Sequence, residues 1–272
     1  MAADVTLAAP ADVTLAAPAD RSRIRIEAAV KSYSGHVVVD VDDLVLGEHP
    51  IEGLIGPNGA GKTTLMRMIM HSIPLDRGRI SLLPANGGPV VLSSLGADHL
   101  ARLGVVKSNQ VIMDFDKLTI WDSLLLAVAE AKYEQPHRIF SERTVFARHE
   151  HEIRHYLDYF GFDDPTRFAL SAGEKKLLDI IRCLLLKPTF LLLDEPAAGL
   201  PEDVTEKVMA VIRELAAAGT AVVVVEHDLN VVWSLCDQVH FMAEGKVILR
   251  GDPKMIRENA MVVEKYLGEG HV

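Results

Sequence analysis

"LIGPNGAGKTT", residues 54–64, sets three glycines around one lysine directly after an apolar run. Its centre, Gly56, Pro57, Asn58, Gly59, Ala60, Gly61, Lys62 and Thr63, has the spacing G-x-x-x-x-G-K-T. Ordinary glycine usage produces that spacing by chance about one time in a hundred in a chain of this length. The stretch is either a surface turn or a phosphate cradle, and its surroundings separate the two. Upstream, "IEGLIG" reads as a buried strand running straight into the glycines; downstream, "KTTLMRMIMHSI" carries apolar residues at helical spacing. Lys62 therefore falls where a strand gives way to a helix N-terminus, whose unpaired N–H groups and positive dipole end bind anions.

The rest of the chain supplies a body for such a loop. With 272 residues, 49% of them hydrophobic, it can bury a substantial core in one large or two smaller units. Its 38 acidic and 28 basic residues give a formal charge of -10, which lacks the basic footprint of a nucleic-acid binder. Cys183 and Cys236 each sit in an apolar, helix-like pattern and read as small core residues in a reducing compartment. No apolar run reaches the ~20 residues needed to cross a bilayer, and the N-terminus lacks the pattern of a signal peptide. A cytoplasmic location is expected.

Residues 1–20 contain "ADVTLAAP" twice, at 3–10 and 11–18, and read as a disordered tail. From Ile24 the pattern changes to short apolar alternations, "RIRIEAAV" and "HVVVDVDDLVL", that suit strands. Between Gln110 and Leu170 it is helical, with no clear strand, as an all-helical insertion would be. "FLLLDEP" and "AVVVVEHD" are continuous apolar runs separated by a helix-like stretch from Pro201 to Ala218, the signature of parallel strands buried on both faces. "DQVHFMAEGKVILRG" predicts a hairpin turned at Glu244-Gly245.

Asp194 and Glu195 close the first of those apolar runs, where side chains leave a parallel sheet toward a ligand. Two carboxylates there divide the work: Asp194 can hold Mg2+ together with the Thr63 hydroxyl, while Glu195 points at a water attacking a terminal phosphate. An isolated acidic pair would otherwise only end a strand and cap the next helix. In "LSAGEKK", residues 170–176, Ser171 and Glu174 form a capping box, which predicts a helix start. Gly173 in that first turn is a poor helix former, losing ~1 kcal/mol against alanine. It makes sense where the backbone must approach something closely, such as a second phosphate-bearing ligand.

The order "GPNGAGKTT", Gln110, "LSAGEKK", "LLLDEP", "VVEHD" resembles the nucleotide-binding subunit of an ABC transporter, from about residue 24 to the end. The resemblance implies an α/β fold: a P-loop NTPase core of ABC type with a small antiparallel β subdomain and an inserted α-helical subdomain at about 111–185. Residues 1–22 would be the tail and 23–272 the nucleotide-binding domain. ATP and Mg2+ are the implied cofactors. The loop from Gly56 through Thr63 and Thr64 would hold the nucleotide, with Lys62 on the beta and gamma phosphates. Gln110 would join Thr63 and Asp194 at Mg2+ and sense the membrane partner. Glu195 corresponds to the catalytic carboxylate and His227 to the switch histidine, where the bland alternative is a satisfied histidine at a strand end. Tyr33, in "KSYSG", resembles the aromatic that stacks on adenine; it could equally be a half-buried strand residue. Ser171 and Gly173 would serve the ATP of the opposite subunit.

Two features depart from the family pattern. The signature reads Ser-Ala-Gly rather than Ser-Gly-Gly, and "AAGL" (Ala197 to Leu200) follows "DEP" without the usual aspartate. "DEPAAGL" and the closing "VVEKYLGEG" (Val262 to Gly270) resemble the subunits of branched-chain amino-acid and urea importers, and the lipopolysaccharide-export ATPase has a similar tail. The expectation is an ATPase subunit that pairs with a second nucleotide-binding subunit, itself or a paralogue, and drives transmembrane permease subunits from the inner face of the cell membrane. The alternative is an ABC-type ATPase with a remodelling role and no membrane partner.

Overall fold

Two hydrophobic periods sort the strands into two sheets. In a computed structural model of the chain, the described residues are 21–95, 97–108, 118–130 and 142–267. The N-terminal repeat and Gln110 lie outside them. Strands β1 (Arg23–Tyr33) and β2 (His36–Leu46) alternate, with Ile24, Ile26, Val39, Val41, Leu44 and Leu46 turned inward. They pair antiparallel around the turn between Tyr33 and His36. The chain then enters β3 (Ile51–Ile55), buried at every position, before the glycine loop and α1 (Lys62–Ile69). Strands β4 (Arg77–Leu83) and β5 (Val90–Val91) complete a four-stranded antiparallel sheet of order β2-β1-β4-β5.

Helix α2 (Ala97–Arg102) leads into β6 (Val105–Lys107), and the helices α3 (Ile120–Glu130), α4 (Glu142–Phe160) and α5 (Ala172–Leu185) follow. The expected helical stretch thus carries helices wherever its residues form described elements. Next come β7 (Phe190–Asp194), α6 (Glu202–Ala217), β8 (Ala221–Val225) and α7 (Leu229–Leu235). The hairpin of β9 (Gln238–Ala243) and β10 (Lys246–Gly251) precedes α8 (Pro253–Arg257) and α9 (Ala260–Leu267). The second sheet has the order β10-β9-β3-β8-β7-β6; all neighbouring pairs are parallel except β10 with β9.

Both faces of the sheet are covered at β7 and β8, which is why these two strands are nearly continuous apolar runs. Leu191, Leu193, Val222 and Val224 pack with α5 and α6, while Phe190, Leu192, Val223 and Val225 pack with α1 and the small sheet. Each such side chain stabilises the fold by about 1.5–3 kcal/mol relative to exposure. Among the described residues, no helix is long and apolar enough to cross a membrane.

The two cysteines lie in the core, as their patterns predict. Burial pushes the Cys236 thiol up to about 12 and holds the Cys183 thiol well above its ordinary range. Thiolate is the reactive form. A thiol reagent at pH 8 is therefore expected to label neither cysteine in the native chain and both in denaturant, as read by mass; rapid native labelling of Cys183 would contradict this packing.

Candidate active site

Parallel strands deliver their C-terminal ends to one edge of a sheet. Because β8 lies between β3 and β7, that edge gathers the glycine loop after β3, residues 226–228 after β8, and Asp194 with Glu195 at the end of β7. Lys62 registers the result electrostatically. Burial lowers its pKa from the ordinary lysine value, and the carboxylates of Glu195 and Asp194 act against that shift.

The loop itself is held by backbone contacts that require glycine. A Cβ on Gly56 would stand 1.9 Å from the Met242 carbonyl oxygen, so β9 leaves no room for a side chain. Gly61 precedes α1 at φ 102°, and no side chain caps that helix. Its first-turn N–H groups are thereby left for a ligand. The turn of the β9–β10 hairpin, Glu244 at φ 52° and Gly245 at φ 80°, closes over the loop. Gly245 N–H donates to the Ala60 carbonyl at 3.0 Å, while its own carbonyl accepts from Asp40 N–H at 2.8 Å. Within this frame Lys62, 6% exposed, donates to the carbonyls of Gly56 at 2.6 Å and Pro57 at 3.1 Å. Asn58 and Gly59 are exposed, Ala60 is buried, and Thr63 and Thr64 are half-buried at the start of α1.

Asp194 is buried. Its backbone N–H donates to Ser108 Oγ at 2.9 Å, and its Oδ2 lies 3.3 Å from Lys107 Nζ. Lys107 and Ser108, which the sequence reading passed over, tie Asp194 to β6. Glu195 follows at φ 50°, an uncommon conformation for a non-glycine residue. Its Oε1 lies 3.2 Å from His227 Nε2. Between these two loops sits Glu226, 1% exposed, which the sequence also did not single out. Beside them a groove of about 730 Å³ runs between the loop after β7 and α7, lined in part by Glu195, Ala198, Leu200, His227 and Asp228. The arrangement can hold an anion at Lys62 and place a carboxylate and an imidazole beside it.

A model of the ABC transporter family matches residues 40–198, more than half of the chain. The chain belongs to the ABC transporter family. It is 31% identical to the lipopolysaccharide export system ATP-binding protein LptB of Haemophilus influenzae, over 91% of this chain and 98% of that protein. The high-affinity branched-chain amino acid transport ATP-binding protein LivG of Salmonella typhimurium is 30% identical, over 90% and 98% of the two chains. A nucleotide-free ATP-binding cassette from an ABC transporter superposes with a TM-score of 0.72 at 26% identity, covering 91% of this chain and all of that one. This member of the family has its α/β P-loop fold and is an ATPase subunit.

Other expected positions of the ABC cassette lie at the start of α5 and on β1. Ser171 caps α5: its side chain accepts from Glu174 N–H at 3.2 Å, and Glu174 Oε2 accepts from Ser171 N–H at 2.8 Å. The Ser171 N–H, with further hydrogen bonds from the Ser171 and Arg167 side chains, holds the Glu174 carboxyl below its usual range. Ser171 is exposed at the helix N-terminus. A Cβ on Gly173 would meet Leu200 at 3.3 Å and the Gly199 carbonyl at 4.0 Å, and no glycine-loop atom within 4 Å. A side chain there would press on Leu200 of its own chain. Tyr33 stands 46% exposed at the end of β1, with Lys31 Nζ 5.6 Å from its ring centre. Its neighbouring strand β2 abuts the glycine loop, since a Cβ on Gly61 would approach the Val38 carbonyl to 2.6 Å.

Proposed function

We propose that this ATPase subunit closes face to face with a second nucleotide-binding subunit and drives import of branched-chain amino acids, urea or a related small solute through transmembrane permease subunits at the inner face of the membrane. Residues 23–272 form its nucleotide-binding domain, with the helical lobe at about 111–185 toward the permease. The observation that carries the reading is the Lys62 edge, where Asp194 and Glu195 act on the lysine and His227 stands 3.2 Å from Glu195. On ATP binding, Lys62 exchanges the Gly56 and Pro57 carbonyls for phosphate oxygens, and the N–H groups of Gly59 through Thr64 cradle the phosphates. Glu195 accepts the proton of the attacking water, and His227 holds that carboxylate and the terminal phosphate in register.

The residues fit a magnesium ion. Thr63 supplies a hydroxyl and Asp194 a buried carboxylate at the same sheet edge as Lys62, the hard oxygen donors that Mg2+ prefers, with Gln110 as the third expected contributor. Magnesium held there would neutralise phosphate charge. Tyr33 offers its exposed ring to adenine. Ser171 and Gly173, at the exposed start of α5, serve the nucleotide held by a facing subunit; the exposure of Ser171 supports this reading.

Mixing two inactive variants tests the pairing. Lys62→Ala lacks the cradle and Ser171→Arg lacks the facing helix start. In a mixed dimer, the intact loop of one chain meets the intact signature of the other. Half of randomly paired dimers are mixed, each with one working site of two, so roughly a quarter of wild-type ATPase activity should return in a homodimer. No recovery with mixed dimers present overturns independently competent composite sites in a homodimer, and absence of mixed dimers overturns self-pairing. "DEPAAGL" and the likeness to LivG support the solute class, which predicts loss of leucine or urea uptake when Glu195→Gln replaces the wild type. The likeness to LptB supports a second reading, lipopolysaccharide export; co-purification with an export permease in place of an importer would select it.

A further inference from the structure

The segment from Glu195 to Leu200 leaves β7 between two opposite charges. On its carbonyl side, Lys176 of α5 donates from Nζ to the carbonyls of Glu195 and Ala198, both at 2.8 Å. On its N–H side, Glu226 Oε1 accepts from Ala197 N–H at 2.7 Å, while Glu226 Oε2 accepts from His227 N–H at 3.1 Å. One buried carboxylate thus grips the segment that carries Glu195 and the segment that carries His227.

That carboxylate is held at a cost. Burial pushes the Glu226 carboxyl above its usual range; the N–H groups of Ala197, His227 and Asp228 pull it back, and the Glu195 charge pushes it up again. A well-packed apolar residue would end β8 without this penalty. What an apolar residue lacks is two acceptors facing opposite ways. Glu195 has particular need of such a grip, because its φ of 50° persists only where neighbours over-determine it. Its N–H is fixed by the Val225 carbonyl at 2.7 Å and its carbonyl by Lys176; Glu226 fixes the backbone two residues on.

We propose that Glu226 is a positioning residue for ATP hydrolysis: its carboxylate bridges Ala197 and His227 and thereby sets the Glu195 carboxylate against the His227 imidazole. The proposal rests on the reading of Glu195 as the base. It acts on turnover and not on nucleotide capture, which belongs to Lys62 and its loop.

The test compares full-length Glu226→Ala and Glu226→Gln with wild type in kcat, KM, equilibrium ATP affinity and melting temperature. Misplacing a reacting group by about 1 Å loses roughly a hundredfold in rate, so Glu226→Ala should lower kcat by roughly 10–100-fold with ATP affinity within about twofold of wild type. Glu226→Gln keeps the volume and one acceptor oxygen but turns an NH2 toward the other N–H, so its kcat should fall between the two. Wild-type kcat in folded Glu226→Ala overturns the proposal, as does a loss confined to ATP affinity or melting temperature. Where Glu226→Ala does not fold, wild-type kcat in Glu226→Gln overturns it. Glu195→Gln run alongside separates the layers: an inactive Glu195→Gln with an active Glu226→Ala removes only the Glu226 role, whereas an active Glu195→Gln removes the base assignment as well.

Discussion

Glu195→Gln is expected to bind ATP as the wild type does and to hydrolyse it about a hundred to ten thousand times more slowly, the range that a positioned general base contributes. The change is isosteric. The amide keeps the backbone ties of Glu195 to Val225 and Lys176 and can still reach His227 Nε2. It removes the negative charge that polarises the attacking water, and a loss of about 3–5 kcal/mol in transition-state stabilisation follows from that factor. Phosphate release under saturating ATP gives the rate, and equilibrium binding of the nucleotide gives the affinity. Hydrolysis within about tenfold of wild type would mean that another group takes the proton.

Lys62→Ala acts at the earlier step. The ammonium sits in a desolvated position that lowers its pKa, donating to two carbonyls of its own loop. Phosphate oxygens are better acceptors for it than those carbonyls, and charge-assisted hydrogen bonds contribute about 1.5–3 kcal/mol each. Losing two such bonds should weaken ATP binding by about a hundredfold or more. The free chain is affected less, because removal of the two donated bonds is offset by relief of a buried charge. Titration with a fluorescent ATP analogue gives the affinity, and an affinity within about threefold of wild type would end the assignment of Lys62 to the phosphates.

These residues were legible for different reasons. Glu195 and His227 follow β7 and β8, and Lys62 closes the glycine loop that follows β3; the apolar runs of these strands are visible because both faces of the sheet are covered there. Local chemistry also reveals the capping box at Ser171 and the turn at Glu244-Gly245, since each is fixed by residues within four positions. Glu226 was not legible. In "VVVVEHD" it is one more residue between a strand and a histidine, and its burial depends on a loop that begins thirty-one positions earlier. Lys107 and Ser108 are hidden in the same way, since Asp194 is their partner across β6 and β7. Gly173 shows the converse. The sequence offers a close-approaching ligand as a reason for it, but gives no sign of Leu200, the neighbour its own chain supplies.

The hairpin turn over the glycine loop also dates the birth of the site. Strand β3 is made early, yet its sheet neighbours are β8 and β9, and the Ala60 carbonyl receives Gly245 N–H only after β9 exists. A ribosome adding 5–20 residues per second needs roughly ten to forty seconds to travel from the end of β3 to that turn. Throughout that interval the nascent chain carries its complete phosphate-binding motif without the backbone that shapes it. A chain that stops before Gly245 therefore carries the motif without the hydrogen bond that braces the Ala60 carbonyl.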